Sequence, residues 1–393
     1  MKGCICFTFA TPDFTGACKM GYFFAKAFSE SDYKVLAVCG SRPESDEPSV
    51  IDYLNDINIT TIEMNGFDKL WNFKLIKQLT QFLIKENVDV LISLVQMDIK
   101  ISGWASEKAS IPLVYSAQNI TNFTGTALLK RLKASLFGYT LRKCNSLSVC
   151  TSGVVQNEIV KKFGVTSQKT VLLPNGIDIS TFPSYSRMEI ETLRTSLGVE
   201  PDDILLINVG RLDEQKGQIY LLRAFADANF DKKNVKLLIV GGTSYGGKKG
   251  KKQSHTYAES LYHIVSESGI SDSIIFTGWR DDIPRLLCSS DVYVHSAVRE
   301  GLPLAMLEAM AAKLPIIGTD CSGHPSGFQN GVHGNIVPKC RITPLAKAME
   351  TIVGMDSKSR NNMGESARQL VEKHFDIKII ASKFVDIVEK NLT

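Results

Sequence analysis

Apolar residues along the chain gather into short runs, and the segments between several of these runs carry apolar positions at helical spacing. The first run, 4–9, leads into a loop of Thr, Pro, Asp and Gly. A helical pattern over 19–28 follows, in which Phe23, Phe24 and Phe28 recur at helical intervals. Runs at 35–39, 88–94, 113–117, 147–150 and 170–173 predict further strands. Strands alternating with helices in this way predict an α/β chain with a parallel, doubly wound sheet. Pro174-Asn175-Gly176 interrupts the pattern and 180–187 is polar, after which the alternation restarts at 204–209, 236–240, 274–276, 292–294 and 316–318. Two domains of similar size are expected, 1–180 and 181–375, each a Rossmann-like half. Ligands of such sheets sit at the carboxyl ends of the strands, so a cleft between two such ends is expected. The stretch 376–393 reads as a helix that can pack back on the first domain, a placement that spacing alone does not show.

A length of 393 residues supports this division, since it exceeds what one compact core holds. An apolar content of 44% with 22% charged residues is that of a globular chain and argues against disorder. The net charge of +4 permits anionic partners such as a nucleotide or an anionic bilayer, but it singles out none, and no nucleic-acid partner is expected. No apolar run reaches the roughly 18 residues of a membrane span, and the first residues read as a buried strand, not a signal peptide. The nine cysteines are scattered. Cys4 and Cys6 would share one face of a strand as small hydrophobes, and no second pair stands at zinc spacing. Reduced thiols and a cytoplasmic address follow, with Asn122-Phe123-Thr124 an incidental triplet.

Two segments carry candidate chemistry. Arg299-Glu300-Gly301-Leu302-Pro303-Leu304 leads through to Glu308 and Met310 after the strand at 292–294, and Pro303 suits the start of a helix. A helix beginning there would aim its N-terminal N–H groups at the cleft, where they favour an anion such as a diphosphate. Glu300 would stand at its entrance and Glu308 about two turns further on. The same spacing also fits an amphipathic core helix with two solvated glutamates. The second segment, Gly210-Arg211-Leu212-Asp213-Glu214-Gln215-Lys216-Gly217, follows the strand at 204–209. A glycine turn and two cations ahead of a helix make a phosphate clamp, with Gly210 allowing close approach and Arg211 and Lys216 supplying charge. A surface turn with two ordinary cations fits it too.

Taken in order, these segments resemble the glycosyltransferases of family four, retaining enzymes of the GT-B fold, most densely over 174–338. Pro174-Asn175-Gly176-Ile177-Asp178 is similar to the family's linker, Phe276-Thr277-Gly278-Trp279 to its nucleobase-facing turn, Glu300 and Glu308 to its E-x7-E pattern, and 331–338 to its closing strand. The resemblance implies a GT-B architecture of two Rossmann-like domains facing across a cleft, the first serving the acceptor and the second a nucleotide-sugar donor. It implies that Gly210, Arg211 and Lys216 bind the diphosphate. Glu300 would contact the transferred sugar, Glu308 the ribose, and Leu304 the donor at the helix start. Trp279 and Arg280 would face the base through their backbone. No metal or other cofactor is implied, the two cations and the helix N-terminus taking the part of a magnesium ion.

The first half departs from the family's pattern. Its glycine-rich loop is Phe14-Thr15-Gly16-Ala17-Cys18-Lys19, with Gly16 alone where two glycines are common. Gln118 and Asn119 stand where many members carry a histidine, and Gln118 bonds a sugar hydroxyl without exchanging a proton near neutral pH. Ser326 replaces a frequent glutamate, and His295 and His324, each isolated, read as structural. The expected reaction is transfer of a hexose or N-acetylhexosamine, from UDP in preference to GDP, to a glycan or glycolipid acceptor. The alternatives are a small soluble acceptor or a non-catalytic binding protein of the same fold. Leu128, Leu132, Leu136 and Tyr139 at helical spacing beside Lys130, Arg131, Lys133, Arg142 and Lys143 suit peripheral association with the inner, anionic face of a membrane. A core helix with a solvated basic face gives the same pattern. The lysine-rich stretch 244–253 reads as a surface loop.

Overall fold

The computed structural model describes residues 2–14, 16–42, 49–69, 72–121, 123, 125–230, 234–243, 247–321 and 323–392, with the backbone alone described at 247–254 and 392. Asn122, Thr124, Thr15 and 244–246 lie outside the described residues. The chain divides into two units, residues 1–176 with 377–393, and residues 177–376. The division falls at Gly176, slightly before the expected boundary at 180, because the backbones of Ile177 and Asp376 already pair with each other and Ile177 N donates to Phe375 O (2.9 Å).

Unit 1 runs β1 (Cys4–Phe9), α1 (Gly16–Glu30), β2 (Lys34–Cys39), α2 (Val50–Asp56), β3 (Thr60–Glu63), α3 (Phe73–Lys85), β4 (Val90–Ser93), α4 (Ile99–Ala109), β5 (Leu113–Ala117), α5 (Ala127–Cys144), β6 (Leu147–Cys150), α6 (Gly153–Asn157) and β7 (Thr170–Leu172). Its seven strands are parallel in the order β3-β2-β1-β4-β5-β6-β7, so the chain builds outward from β1 in one direction and from β4 in the other. β1 is buried on both faces, as parallel strands are. Cys4 and Cys6 face the layer of α3, α4 and α5, while Phe7 and Phe9 face α1. The helix predicted from Lys19 begins at Gly16, so that glycine opens α1 and does not lie in a loop. Asp98, buried after β4, accepts from Ala10 N (2.7 Å), Leu94 N and Val95 N (3.3 Å each), joining the exits of β1 and β4.

Unit 2 runs α7 (Arg187–Ser196), β8 (Ile204–Val209), α8 (Gln218–Asp227), β9 (Val235–Val240), α9 (Gly247–Glu267), β10 (Ile274–Gly278), α10 (Ile283–Cys288), β11 (Val292–His295), α11 (Leu304–Ala311), β12 (Ile316–Thr319), β13 (Gly334–Val337), α12 (Ile342–Gly354) and α13 (Ser357–His374). Its six parallel strands follow β10-β9-β8-β11-β12-β13, with an apolar layer on each face. The expected loop at 244–253 is corrected here: from Gly247 the backbone is the start of α9.

The next helix, α14 (Ile377–Leu392), follows unit 2 in sequence yet belongs to unit 1. Phe384 stacks on Phe24 of α1 with ring centroids 3.9 Å apart, and meets Phe28 edge-on. Glu389 accepts from Tyr33 Oη (2.8 Å) and Lys2 Nζ (3.2 Å). On α5, by contrast, only the second half is packed, through Phe137, Gly138, Thr140, Leu141 and Cys144. Of the predicted stripe, Leu128, Leu132 and Tyr139 are 78%, 57% and 47% exposed and Leu136 is half-buried, so most of the stripe lies on the face of α5 turned away from the core.

Candidate active site

In unit 2 the strand order reverses between β8 and β11, and the loops leaving these two neighbours diverge at the carboxyl edge of the sheet. Such a switch point is where open α/β sheets hold ligands. The chain leaving β8 first follows β9, with Gly210 N donating to Val240 O and Leu212 N to Gly242 O (2.9 Å each). A Cβ on Gly210 would sit 3.3 Å from Lys216 Cδ, so the bare glycine leaves room for the lysine stem. Asp213 shapes the turn: its Oδ1 and carbonyl accept from Lys216 N (3.2 and 3.0 Å), and its Oδ2 lies 3.2 Å from Arg211 Nη2. Gly217 adopts φ +66°, where a Cβ would stand 2.3 Å from Ser296 O; only glycine satisfies both conditions.

The chain leaving β11 is clamped from three sides. Ser296 Oγ donates to Lys216 O (2.9 Å), Val298 N to Gln215 O (2.8 Å), and Thr319 Oγ1 to Ala297 O (2.5 Å). Residue 323 presses so closely that a Cβ there would fall 1.4 Å from Gly301 O. The outcome is that Glu300, buried, receives a hydrogen bond from Lys216 Nζ on its Oε1. Burial works to raise the Glu300 carboxyl, but the charges of Lys216 and Arg211 and the Lys216 hydrogen bond outweigh it. They hold the group below the ordinary carboxylate range. Arg211 is brought to this group as well, so the two segments picked out from sequence form one site.

Glu300 leads directly into α11, whose N-cap is Pro303 and carries no side-chain cap. Pro303 thus stands just outside the helix and not in its first turn. Met306 N and Leu307 N donate to Pro303 O, whereas Leu304 N and Ala305 N precede any intrahelical acceptor, as the first N–H groups of a helix do. Glu308 lies half-buried on α11, and both it and Glu300 bear on the buried Tyr293 hydroxyl, which burial above all keeps protonated. Trp279 and Arg280 stand after β10, two strands from β8. Gly241 N donates to Gly278 O (2.9 Å), which holds that turn against the exit of β9. Trp279 is 49% exposed, and Arg280 is committed to a two-pronged pair with Asp282 (2.7 and 2.6 Å).

In unit 1 Gly16 opens α1 after β1, and Gln118 and Asn119 follow β5, with β4 between those strands. Gln118 is buried: its Nε2 donates to Ser116 Oγ (2.7 Å), while its Oε1 has no partner. Asn119 is exposed. The loop they occupy is fixed by Glu158, which accepts from Thr121 N and Thr121 Oγ1 (2.8 Å each) and from Lys162 Nζ (2.6 Å). Glu158 begins a π turn, Glu158–Lys162, which the strand-and-helix pattern of the sequence does not announce. His295, read as structural, lies buried at the tip of β11 beside the pair of Lys216 and Glu300.

Residues 19–181 match the Glycosyltransferase Family 4 family and residues 189–370 the Glycosyl transferases group 1 family. The chain is a family four glycosyltransferase. The transferase is 24% identical, over 80% of its length and 79% of the relative's, to the UDP-Gal:α-D-GlcNAc-diphosphoundecaprenol α-1,3-galactosyltransferase of Escherichia coli. It is 26% identical to the N-acetyl-α-D-glucosaminyl L-malate synthase of Bacillus anthracis, over 52% of its own length and 50% of that enzyme's. Among solved structures, HepE of Anabaena in complex with UDP and glucose superimposes with a TM-score of 0.85 at 21% identity, over 99% of this chain and all of that one. That likeness establishes the GT-B fold.

Proposed function

We propose that this transferase moves a hexose or N-acetylhexosamine from a UDP-sugar, with retention of configuration, to a hydroxyl of a lipid-linked or surface-glycan intermediate. The observation that carries this reading is the ion pair of half-buried Lys216 with buried Glu300 beside the uncapped start of α11. The cations Lys216 and Arg211 and the N–H groups of Leu304 and Ala305 form a positive field suited to a diphosphate. Glu300 and Glu308, both acceptors, suit the hydroxyls of the transferred sugar and of the ribose. A bond forms between the acceptor oxygen and the anomeric carbon, the bond from that carbon to the diphosphate breaks, and the acceptor's hydroxyl proton leaves with the released diphosphate or to solvent. Retention is met either by a same-face path or by two successive inversions. The electron pair departs on the diphosphate oxygen, where the cations and the helix start stabilise it in place of a metal ion. Arg280, paired with Asp282, leaves the backbone of Trp279 and Arg280 to meet the base. Gly16 is assigned to the nucleotide-sugar donor, and Gln118 and Asn119 to the acceptor and sugar side.

UDP is favoured because the Escherichia coli relative is named for a UDP-sugar and HepE was solved with UDP. That relative's diphosphoundecaprenol substrate supports a lipid-linked acceptor. So does α5, whose exposed Leu128, Leu132 and Tyr139 run beside Lys130, Arg131 and Lys133 and suit the inner, anionic face of a membrane. Among the described residues no helix is long and apolar enough to cross one. A second reading, a small soluble acceptor, is favoured by the likeness to the L-malate synthase.

Thermal-shift titration with UDP, GDP, ADP and their sugar conjugates, with and without EDTA, tests the donor half of the proposal. Stabilisation by the uridine series alone, unchanged by EDTA, is expected. Stabilisation by another base, or one abolished by EDTA, would refute the donor or the metal-free clamp. Transfer assays with prenyl-diphosphate-linked and free acceptors, with the product's anomeric configuration read by NMR, test the rest.

A further inference from the structure

His295 ends β11 and is almost wholly enclosed. Its Nδ1 lies 3.3 Å from the hydroxyl of Tyr293, and its Nε2 is buried without a hydrogen-bond partner. Buried polar atoms are nearly always satisfied, and an orphan at the carboxyl tip of a switch-point strand points to a partner that arrives with the substrate. The charged groups that bear on this imidazole are Glu300 and Lys216. The chain from Ser296 to Arg299, which separates His295 from Glu300, is held by the bonds to Lys216 O, Gln215 O and from Thr319, so the geometry of this group is fixed by the fold.

The chemistry of the partner follows from the neighbours. Burial pushes the imidazole down to about 4, so it is neutral and offers no counter-charge to a phosphate. Glu300, ionised beside it, repels a phosphate oxygen but accepts from a hydroxyl. A neutral imidazole bonds a hydroxyl whichever tautomer the Tyr293 hydroxyl selects, since a hydroxyl both donates and accepts. We propose that His295 is a sugar-specificity residue, its Nε2 bonding a hydroxyl of the hexosyl group that Glu300 also contacts. This rests on the reading that the nucleotide sugar binds at Lys216 and Glu300. To that charged clamp it adds a neutral selector of the sugar's hydroxyl pattern.

The test compares the full-length protein with His295→Leu and His295→Gln, using UDP, UDP-glucose, UDP-galactose and UDP-N-acetylglucosamine. In wild type the preferred UDP-sugar should stabilise more than UDP does. In His295→Leu that difference should vanish while the shift with UDP persists. The KM for the UDP-sugar should rise roughly tenfold, the cost of one buried hydrogen bond, and the ratio of kcat/KM between epimeric donors should fall towards one. His295→Gln, which keeps a polar group, should recover part of the discrimination, and it carries the comparison alone if the leucine variant does not fold. Unchanged epimer ratios in a folded variant would overturn the proposal. Equal loss of the UDP and UDP-sugar shifts would overturn it too, since it would place His295 at the phosphates. Failure of wild type to respond to any nucleotide would instead refute the donor-site reading beneath it.

Discussion

Lys216, half-buried, and Glu300, buried, stand 84 residues apart in sequence and meet as an ion pair where β8 and β11 part. Lys216 helps to hold the Glu300 carboxyl charged in a place from which water is largely excluded. The loop bonds from Ser296 and Val298 to the backbone of Lys216 and Gln215 bring the two segments together before any ligand binds. Lys216→Met removes the hydrogen-bonded cation from the buried Glu300 carboxylate, and a stability loss of about 3 kcal/mol is expected by chemical denaturation. Initial rates of sugar transfer should fall about 10²-fold. Glu300→Gln should slow transfer comparably with a smaller stability loss. Transfer undiminished in both variants would remove the pair from the chemistry.

The acid limb of stability has an identifiable contributor. Burial lowers the His295 imidazole from 6.5 to about 4, so between these values the unfolded chain binds a proton that the folded one refuses. The neutral, folded form has its full stability above pH 6.5, loses it progressively as pH falls towards 4, and loses no more from this group below that. The whole limb amounts to about 3 kcal/mol. Denaturant titrations from pH 7 to 4 should show a shallower decline in His295→Gln. An identical slope in the two proteins would mean that other groups govern acid unfolding.

Glu158 holds the loop that carries Gln118 and Asn119, which we assign to the acceptor side. Replacing Glu158 by Ala frees Thr121 N and Thr121 Oγ1, so residues 118–121 lose two bonds to a charged acceptor. The expected result is roughly a tenfold rise in acceptor KM with the donor KM unchanged, and partial recovery in Glu158→Gln. Equal rises in both KM values would indicate a general loss of structure.

The exposed stripe of α5 leads to a flotation experiment. Liposomes with anionic lipid should carry the wild-type protein, and Leu128→Ser with Leu132→Ser should remain behind, as should wild type at high salt. Recovery of wild type from neutral and anionic vesicles alike, or from neither, would count against a basic, apolar docking face.

Phe384 stacks on Phe24 and meets Phe28 edge-on, so it joins α14 to the interior of unit 1. Phe384→Ala should cost about 3–5 kcal/mol. Hydrogen exchange should locate the loosening in α1 and β1, with β8–β11 unaffected. Protection lost across both units would show that they unfold together.

Much of this could be read from sequence because the strands are buried on both faces and so appear as unbroken apolar runs. β1, β8 and β11 are of this kind, and the residues just beyond β8 and β11, from Gly210 to Lys216 and from Glu300 to Glu308, supply the site. β3 was missed because it is a half-exposed edge strand, Thr-Thr-Ile-Glu, with no apolar run to mark it. The first turns of α9 were read as part of a loop because glycines and a cluster of like-charged lysines weaken the helical signal there, while its later turns pack Tyr257, Ala258 and Leu261. His295 looks like any core histidine along the chain; only the orphaned Nε2 and its charged neighbours set it apart. Gln118 shows the reverse case, since its position suggested a side chain offered to sugar, whereas the amide turns inward to Ser116.

The place of α14 bears on the order in which the protein matures. The ribosome completes β1 through β7 first, then all of unit 2, and only afterwards the helix that covers α1. Unit 2 is continuous in sequence and can close while synthesis continues. Unit 1 must wait, with Phe24 and Phe28 lacking their cover, until some 200 further residues have emerged. A chain halted after residue 376 would therefore carry a finished unit 2 and an unsealed unit 1, a natural target for chaperones and proteases.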